Sequence, residues 1–309
     1  SLFRIQGSYS MVLMSARQII AFRDPFGLRP LSLGRLNGAW MVASETCAFD
    51  LLDGEFVRDV EPGEIVFIDE KGLRSEKPFA PAPRRFCIFE FIYFTRPDCI
   101  VDGMSVYEVR KRLGQELARE HPAQADVVVA VPDSSNVAAL GYANESGIPY
   151  EIGLIRSHYI GRTFIEPDHK IRHFGARIKY NPVRAVLTGR RVVVVDDSIV
   201  RGTTSGKIVQ MLRRAGAREV HFRVSSAPIR FPCYYGIDMP TREELAASSK
   251  DIDAIRQSIG ADSLQYLSIE GMKRAAGARD EFCMACFSGQ YPAGCPQCFS
   301  KEILETPKS

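Results

Sequence analysis

Val192-Val193-Val194-Val195-Asp196-Asp197-Ser198-Ile199-Val200-Arg201-Gly202-Thr203-Thr204-Ser205-Gly206-Lys207 holds a strand, a polar loop and the start of a helix. Four consecutive valines predict a strand buried on both faces, as in a parallel sheet. Two carboxylates end it, and a hydroxyl-rich turn comes next. Ile208, Val209, Met211 and Leu212 then mark one apolar helix face that closes near Gly216. In an open α/β sheet, ligands gather at the carboxyl ends of the strands, where this loop falls.

The residue types narrow the ligand. Backbone N–H groups of the Thr203–Thr204 turn and the helix N-terminus make a cradle for a phosphate monoester. Hydroxyls of Ser198, Thr203 and Thr204 add donors. Asp196 and Asp197 would repel a lone phosphate. They fit beside one if they accept from sugar hydroxyls or hold Mg²⁺. Phosphate, diol and metal together describe a phosphoribosyl group. A Walker A loop is excluded, because no Gly-x-x-x-x-Gly-Lys-Ser/Thr occurs. The plain alternative is an ordinary strand-to-helix turn.

Val-Asp-Asp-Ser-Ile-Val-Arg-Gly-Thr-Thr resembles the phosphoribosylpyrophosphate (PRPP) loop of type I phosphoribosyltransferases. It is most similar to the version in the glutamine PRPP amidotransferase family, which opens purine synthesis. The resemblance implies that Asp196, Asp197, Ser198, Ile199, Val200, Arg201, Gly202, Thr203 and Thr204 bind PRPP. It also implies that Ser134, Asp196 and Asp197 hold Mg²⁺. Val127–Val131 reads as a second buried strand, running through Pro132-Asp133-Ser134-Ser135 into a helix with Ala138, Ala139, Leu140 and Tyr142. In the family that loop faces pyrophosphate. Without the resemblance, Ser134 is equally a helix cap.

From Arg156 to Lys179 the chain is basic and interleaved with aromatics, including Tyr159 and Phe164. A solvated loop, a nucleic-acid patch and a lid over an anion all suit that composition. Arg156–Ile165 resembles the family's active-site lid, which implies lid roles for Arg156, Tyr159, Arg162 and Lys179. Pyrophosphate needs cations, and a reactive sugar cation needs water excluded.

The rest of the chain bounds this reading. Its 309 residues allow one or two domains. A net charge of +3 does not make nucleic acid the default partner, and no apolar run is long enough for a membrane span. With no secretory leader pattern, a cytoplasmic protein is expected. The chain starts at Ser1 without methionine and is expected to be a fragment or processed product. Residues 1–80 read as β-rich, with turns at Asn37-Gly38, Asp53-Gly54, Pro62-Gly63 and Lys71-Gly72. Arg23-Asp24-Pro25-Phe26-Gly27-Leu28-Arg29-Pro30 and Ala43-Ser44-Glu45 resemble the later part of the family's glutaminase domain, an N-terminal-nucleophile hydrolase. On their own, Arg23 and Asp24 read as an ion pair at a turn. The family's nucleophilic cysteine and its oxyanion pair have no counterpart here, so no catalytic residue is assigned and no glutaminase activity is expected. Proline-rich residues 76–85 read as a linker.

The expected organisation is therefore an incomplete α+β glutaminase domain over residues 1–80 and a parallel-sheet phosphoribosyltransferase domain with flanking helices over 81–262. A cysteine-bearing tail occupies 263–309. Phe86–Phe94 is expected to be a strand. Ser105 is expected to cap a helix that buries Val106, Val109, Leu113 and Leu117 and turns Arg110, Lys111, Arg112 and Glu116 outward. Ile252, Ile255 and Ile259 are expected to pack on one helix face.

Eight cysteines without a leader argue for thiols or metal ligands. Cys283, Cys286, Cys295 and Cys298 alone fit a local zinc site. The Bacillus-type branch of the family instead implies a [4Fe-4S] cluster on Cys87, Cys233, Cys283 and Cys286, with Zn²⁺ as the alternative. Cys47 and Cys99 are expected to be packed and inert. The family implies ammonia, drawn from glutamine, as the nucleophile, purine nucleotides as inhibitors, and a homotetramer. Two other readings fit a PRPP loop: a regulatory sensor without turnover, or a transferase acting on a nucleobase.

Overall fold

A computed structural model describes residues 2–157 and 180–295. The first unit consists of β1 (Ser10–Met14), β2 (Ile19–Arg23), β3 (Ser32–Leu36), β4 (Ala39–Ala43), α1 (Cys47–Asp50), β5 (Glu55–Asp59), β6 (Ile65–Asp69) and β7 (Gly72–Glu76). Its strands form two antiparallel sheets, ordered β1-β2-β6-β7 and β4-β3-β5. Ala21, Leu31, Leu33, Val60, Val66 and Ile68 make its small core. Asn37 and Gly38 both take positive φ, 49° and 86°, as a tight hairpin between β3 and β4 requires. β1 lies at a sheet edge with Met11, Val12, Leu13 and Met14 exposed.

The second unit begins with β8 (Phe86–Cys87), β9 (Ile100–Val101), β10 (Met104–Ser105), α2 (Val106–Glu120), β11 (Val127–Ala130), α3 (Asn136–Ser146), β12 (Leu154–Arg156) and β13 (Tyr180–Pro182). It continues with α4 (Arg184–Leu187), β14 (Arg191–Asp196), α5 (Thr203–Arg214), β15 (Glu219–Val224), α6 (Ala246–Ser249), α7 (Ile252–Ile259) and β16 (Ser263–Tyr266). The described part closes with α8 (Ile269–Ala275), β17 (Phe282–Cys283) and α9 (Ala285–Ser288). The central sheet is ordered β11-β14-β15-β16 and is parallel throughout.

All four valines of β14 are fully buried, and they alternate between two cores. Val193 and Val195 face the core holding Val109, Leu113, Ala138 and Tyr142 of α2 and α3. Val192 and Val194 face the core of Ile208, Leu212, Ile255 and Ile259 from α5 and α7. Helices therefore cover both faces, and each buried valine contributes about 1.5–3 kcal/mol of burial.

Four expectations give way. The strand over Phe86–Phe94 is two residues long; Glu90–Phe94 forms a π-helical turn. The turn carries Glu90 inward, where it accepts from Thr95 Oγ1 at 2.7 Å and pairs with Arg29 Nε at 3.0 Å. A short apolar run reads alike as a strand or a buried helical turn. Arg110 and Glu116 are buried, not outward. Arg110 donates to the carbonyls of Phe91 and Thr95, both at 2.8 Å, and so satisfies the end of that turn. Glu116 pairs with Arg119 and Arg274 at 2.6 and 2.7 Å. Ile252 is exposed, while Ile255 and Ile259 pack. The Arg23–Asp24 ion pair is replaced by bonds to backbone. Arg23 donates to the carbonyls of Gly27, Arg29 and Val60, and Asp24 accepts from the amides of Tyr9, Phe26 and Leu28. Two buried charges thus organise the turn by closing orphan peptide groups.

Candidate functional site

β14 ends at Asp196, beside the end of β11, because Val195 pairs with Ala130 in the parallel register. The loops after the two strands therefore meet. Ser135 Oγ donates to Asp196 Oδ1 at 3.3 Å, and the Asp197 amide donates to the same oxygen at 3.0 Å. Asp197 accepts from Ser198 Oγ at 2.6 Å, and the Ser134 side chain lies near enough to favour its charged form. Ser134, Asp196, Asp197 and Ser198, singled out in the sequence, are thus brought into one cluster. Ser135 and Arg110 belong to it too and were missed. A second serine in a loop carries no separate signal, and a lone arginine on a polar helix face reads as solvated.

Burial pushes the Asp197 carboxyl above the usual carboxylate range, while Ser134, Ser198 and the Arg110 charge oppose that push. Both aspartates are only 7% exposed. Such acids are held ready for cations or hydroxyl donors. Tyr180 of β13 is buried nearby; desolvation and then the field of Asp196 raise its phenol. Carboxylate and hydroxyl oxygens are the donor set Mg²⁺ takes.

The turn after Asp197 is built for close approach. Ile199 is anchored in the core below it, and the Val200 carbonyl accepts from the Ala246 amide at 2.8 Å. Gly202 has φ +80° and immediately precedes α5. A side chain there would be strained whatever the space, so glycine lets the chain enter α5 with its first amides free to face a ligand. Thr203 and Thr204 are exposed. Arg201 is held by Glu244 at 2.9 Å, at the rim of the turn. A groove lined by Gly202, Thr203, Lys207, Gln257 and Gly260 opens beside the helix. Another, lined by Asp133, Asn136, Tyr150 and Arg156, flanks the β11 loop. Arg156 pairs with Asp133 at 2.6 Å. The other lid residues, Tyr159, Arg162 and Lys179, lie outside the described residues.

Cysteines form a second cluster. Cys87 and Cys283 stand opposite one another on paired β8 and β17. Cys286 lies in α9, and Cys233 packs into the same region beside Leu28, Tyr235 and Tyr291. Burial is the main force raising the thiols of Cys87, Cys283 and Cys286, and Cys283 is pushed to about 11. The fields of neighbouring thiols, that of Cys233 among them, add to the rise at Cys87, Cys283 and Cys286. Cys295 is exposed, and Cys298 lies outside the described residues. Among the described residues, ligand atoms of three Cys, His or acidic groups come within 4.8 Å of one another only at Glu45, Cys47 and Cys99. The four cysteines are thus spread wider than the sulfur spacing of about 3.8 Å around one zinc ion.

No family model matches the chain. The amidophosphoribosyltransferase of Bacillus subtilis (strain 168) is 52% identical in an alignment that covers 94% of this chain and 62% of that protein. Chloroplastic amidophosphoribosyltransferase 1 of Arabidopsis thaliana is 54% identical over 291 residues, 94% of this chain and 51% of that one. A structure of glutamine PRPP amidotransferase from B. subtilis, complexed with ADP and GMP, superposes with a TM-score of 0.88 at 52% identity, over 94% of this chain and 65% of that one. The structure of "the allosteric regulatory enzyme of purine biosynthesis" gives 0.90 at 51% identity, over 96% and 65%. The chain spans between half and two thirds of the length of these relatives. Among the described residues, no helix is long and apolar enough to cross a membrane. Along nearly its whole length, in both sequence and fold, the chain is similar to amidophosphoribosyltransferases.

Proposed function

We propose that this chain carries the PRPP-using part of an amidophosphoribosyltransferase, in which ammonia displaces pyrophosphate from ribose C1 to give 5-phosphoribosylamine. The observation that carries the reading is the meeting of Ser134 and Ser135 with Asp196, Asp197 and Ser198 at two adjacent strand ends. Asp196 and Asp197 accept from the ribose hydroxyls. Ser198–Thr204 and the first amides of α5 hold the 5-phosphate. The loop at Asp133–Ser135 faces the pyrophosphate end, with Arg156 at its rim and Tyr159, Arg162 and Lys179 as lid residues. Ser134, Asp196 and Asp197 would hold Mg²⁺, which neutralises charge on the departing pyrophosphate. No covalent nucleophile on the chain is required; the residues orient the sugar and exclude water.

Cys87, Cys233, Cys283 and Cys286 would hold a [4Fe-4S] cluster, a body larger than one ion and so suited to their spacing; its role is structural. Residues 1–80 form the later part of a glutaminase domain and 81–262 the transferase domain, whose sheet takes its last strand, β16, from the start of the 263–309 tail. Glutamine-derived ammonia, inhibition by purine nucleotides, a homotetramer and a cytoplasmic setting complete the proposal. The B. subtilis relative's complex with ADP and GMP supports the nucleotide part.

The test is calorimetric titration with Mg²⁺-PRPP. Replacing both Asp196 and Asp197 with alanine deletes several charge-assisted bonds, so affinity falls at least about a hundredfold. Unchanged affinity sinks the proposal. Pyrophosphate release with ammonium, assayed in the chain extended to the relatives' length, separates turnover from mere binding.

A further inference from the structure

Glu45, Cys47 and Cys99 are not used by any part of that proposal, yet they form the tightest ligand cluster among the described residues. Their ligand atoms all lie within 4.8 Å of one another. Cys47 Sγ is 3.5 Å and Cys99 Sγ 3.7 Å from the same oxygen, Glu45 Oε2. With Zn–S of about 2.3 Å and Zn–O of about 2.0–2.2 Å, a tetrahedral site has S···O edges of about 3.6 Å and an S···S edge of about 3.8 Å. Both S···O distances, spanned by thiol hydrogen bonds to the carboxylate, match those edges.

The surroundings favour a cation over an accident of packing. Cys47 and Cys99 are 6% and 1% exposed, while Glu45 is only half-buried, which gives an ion a way in. Thr46 beside them fixes the backbone: its hydroxyl accepts from the Ile100 amide at 3.0 Å, tying the two segments in register. The Cys99 amide and carbonyl are bonded to Arg96 and Val106, so its backbone is held from both sides.

We propose that Glu45, Cys47 and Cys99 form a site for a thiophilic divalent cation of the zinc class, with water in the fourth position. The ion replaces the two thiol protons, which leave to solvent, and no electrons are exchanged. Cys47 starts α1 in the first unit but packs in the core of the second, where Cys99 lies. A bound ion therefore pins one unit to the other across residues 77–85, which form neither helix nor strand.

The experiment uses the whole reduced chain. Zn²⁺ content is counted after equilibrium dialysis at fixed free Zn²⁺, and Co²⁺ serves as the optical probe for thiolate ligation. Cys47→Ser and Cys99→Ser each lower the count by one equivalent per chain and remove part of the thiolate–Co²⁺ charge-transfer absorption. Glu45→Gln, which keeps the shape, weakens the same site at least about tenfold. Zn²⁺ raises the melting temperature of the parent more than that of any of the three variants. Equal metal counts in parent and Glu45→Gln and in either folded cysteine variant overturn the proposal. So does a Cys47–Cys99 disulfide formed with no metal retained. None of these readouts involves PRPP, so their failure is distinct from failure of the function proposed above.

Discussion

Gly141 in α3 lies against Lys111 of α2 so closely that an added Cβ would stand 2.0 Å from the Lys111 carbonyl oxygen. Gly114 makes the reciprocal contact, 1.8 Å from the Ala138 carbonyl oxygen. Real Cβ atoms essentially never come closer than 3.0 Å, so Gly141→Ala forces the two helices apart by about 1 Å. Two effects compete. Alanine is intrinsically better than glycine in a helix by about 1 kcal/mol. Overpacking against rigid backbone costs about 1–3 kcal/mol or more, and here the obstacle is a carbonyl, which cannot rotate away. Overpacking wins, and the variant is expected to lose about 2 kcal/mol and roughly 4 °C in melting temperature. Gly206→Ala in α5 is the control. Its Cβ would meet Ile259 Cα at 3.7 Å, an ordinary contact, so only the helix preference remains, and a gain of about 0.5–1 kcal/mol is expected. Urea denaturation of both variants measures the signs. Gly141→Ala at or above parental stability would refute the argument. Because α3 begins next to Ser134 and Ser135, the same displacement reaches the site. Pyrophosphate release in the extended chain should fall up to about a hundredfold.

Other substitutions probe separate parts of the fold. Arg110→Met keeps the bulk but orphans the carbonyls of Phe91 and Thr95, so about 2–4 kcal/mol should be lost in denaturant titration; a neutral result would mean water replaces the guanidinium. Asp24→Ala leaves the amides of Phe26 and Leu28 without their acceptor and should cost about 1–3 kcal/mol, measured the same way. Hydrogen bonds from Arg191 hold the Asp126 carboxyl down at about 2. A lowered folded value contributes stability above the unfolded pKa of about 3.9, and that contribution disappears as pH falls towards about 2. Asp126→Asn should therefore flatten the stability–pH curve between about 4 and about 2, and an unchanged slope there would count against the pairing.

Much of this was legible because β14 is extreme. Four adjacent valines can be satisfied only by a strand covered on both sides, and the acid pair and glycine turn after it set the chemistry of the loop. The helix face of α2 and the Asn37-Gly38 hairpin are likewise set by local chemistry. The remainder depends on partners distant in sequence. Phe86–Phe94 is apolar enough for a strand, but Glu90 inside it must meet Arg29 and Thr95, and the backbone turns to allow that. Arg110 falls on the polar stripe of its helix and is nonetheless buried, because the carbonyls it serves belong to another element. Ser135 joins Asp196 only through the register of β11 on β14. The proximity of Cys47 and Cys99 has no sequence pattern at all, since 51 intervening residues put them in different units.

Among the described residues, β1 presents one free backbone edge together with side chains of Met11, Val12, Leu13 and Met14 that are 43–82% exposed. Unpaired peptide groups flanked by greasy side chains invite strand addition from any polypeptide able to lie alongside. Handled alone in concentrated solution, this chain is its own nearest candidate for that role. Light-scattering mass should then climb with protein concentration, and a lysine in place of Leu13 should restrain the climb.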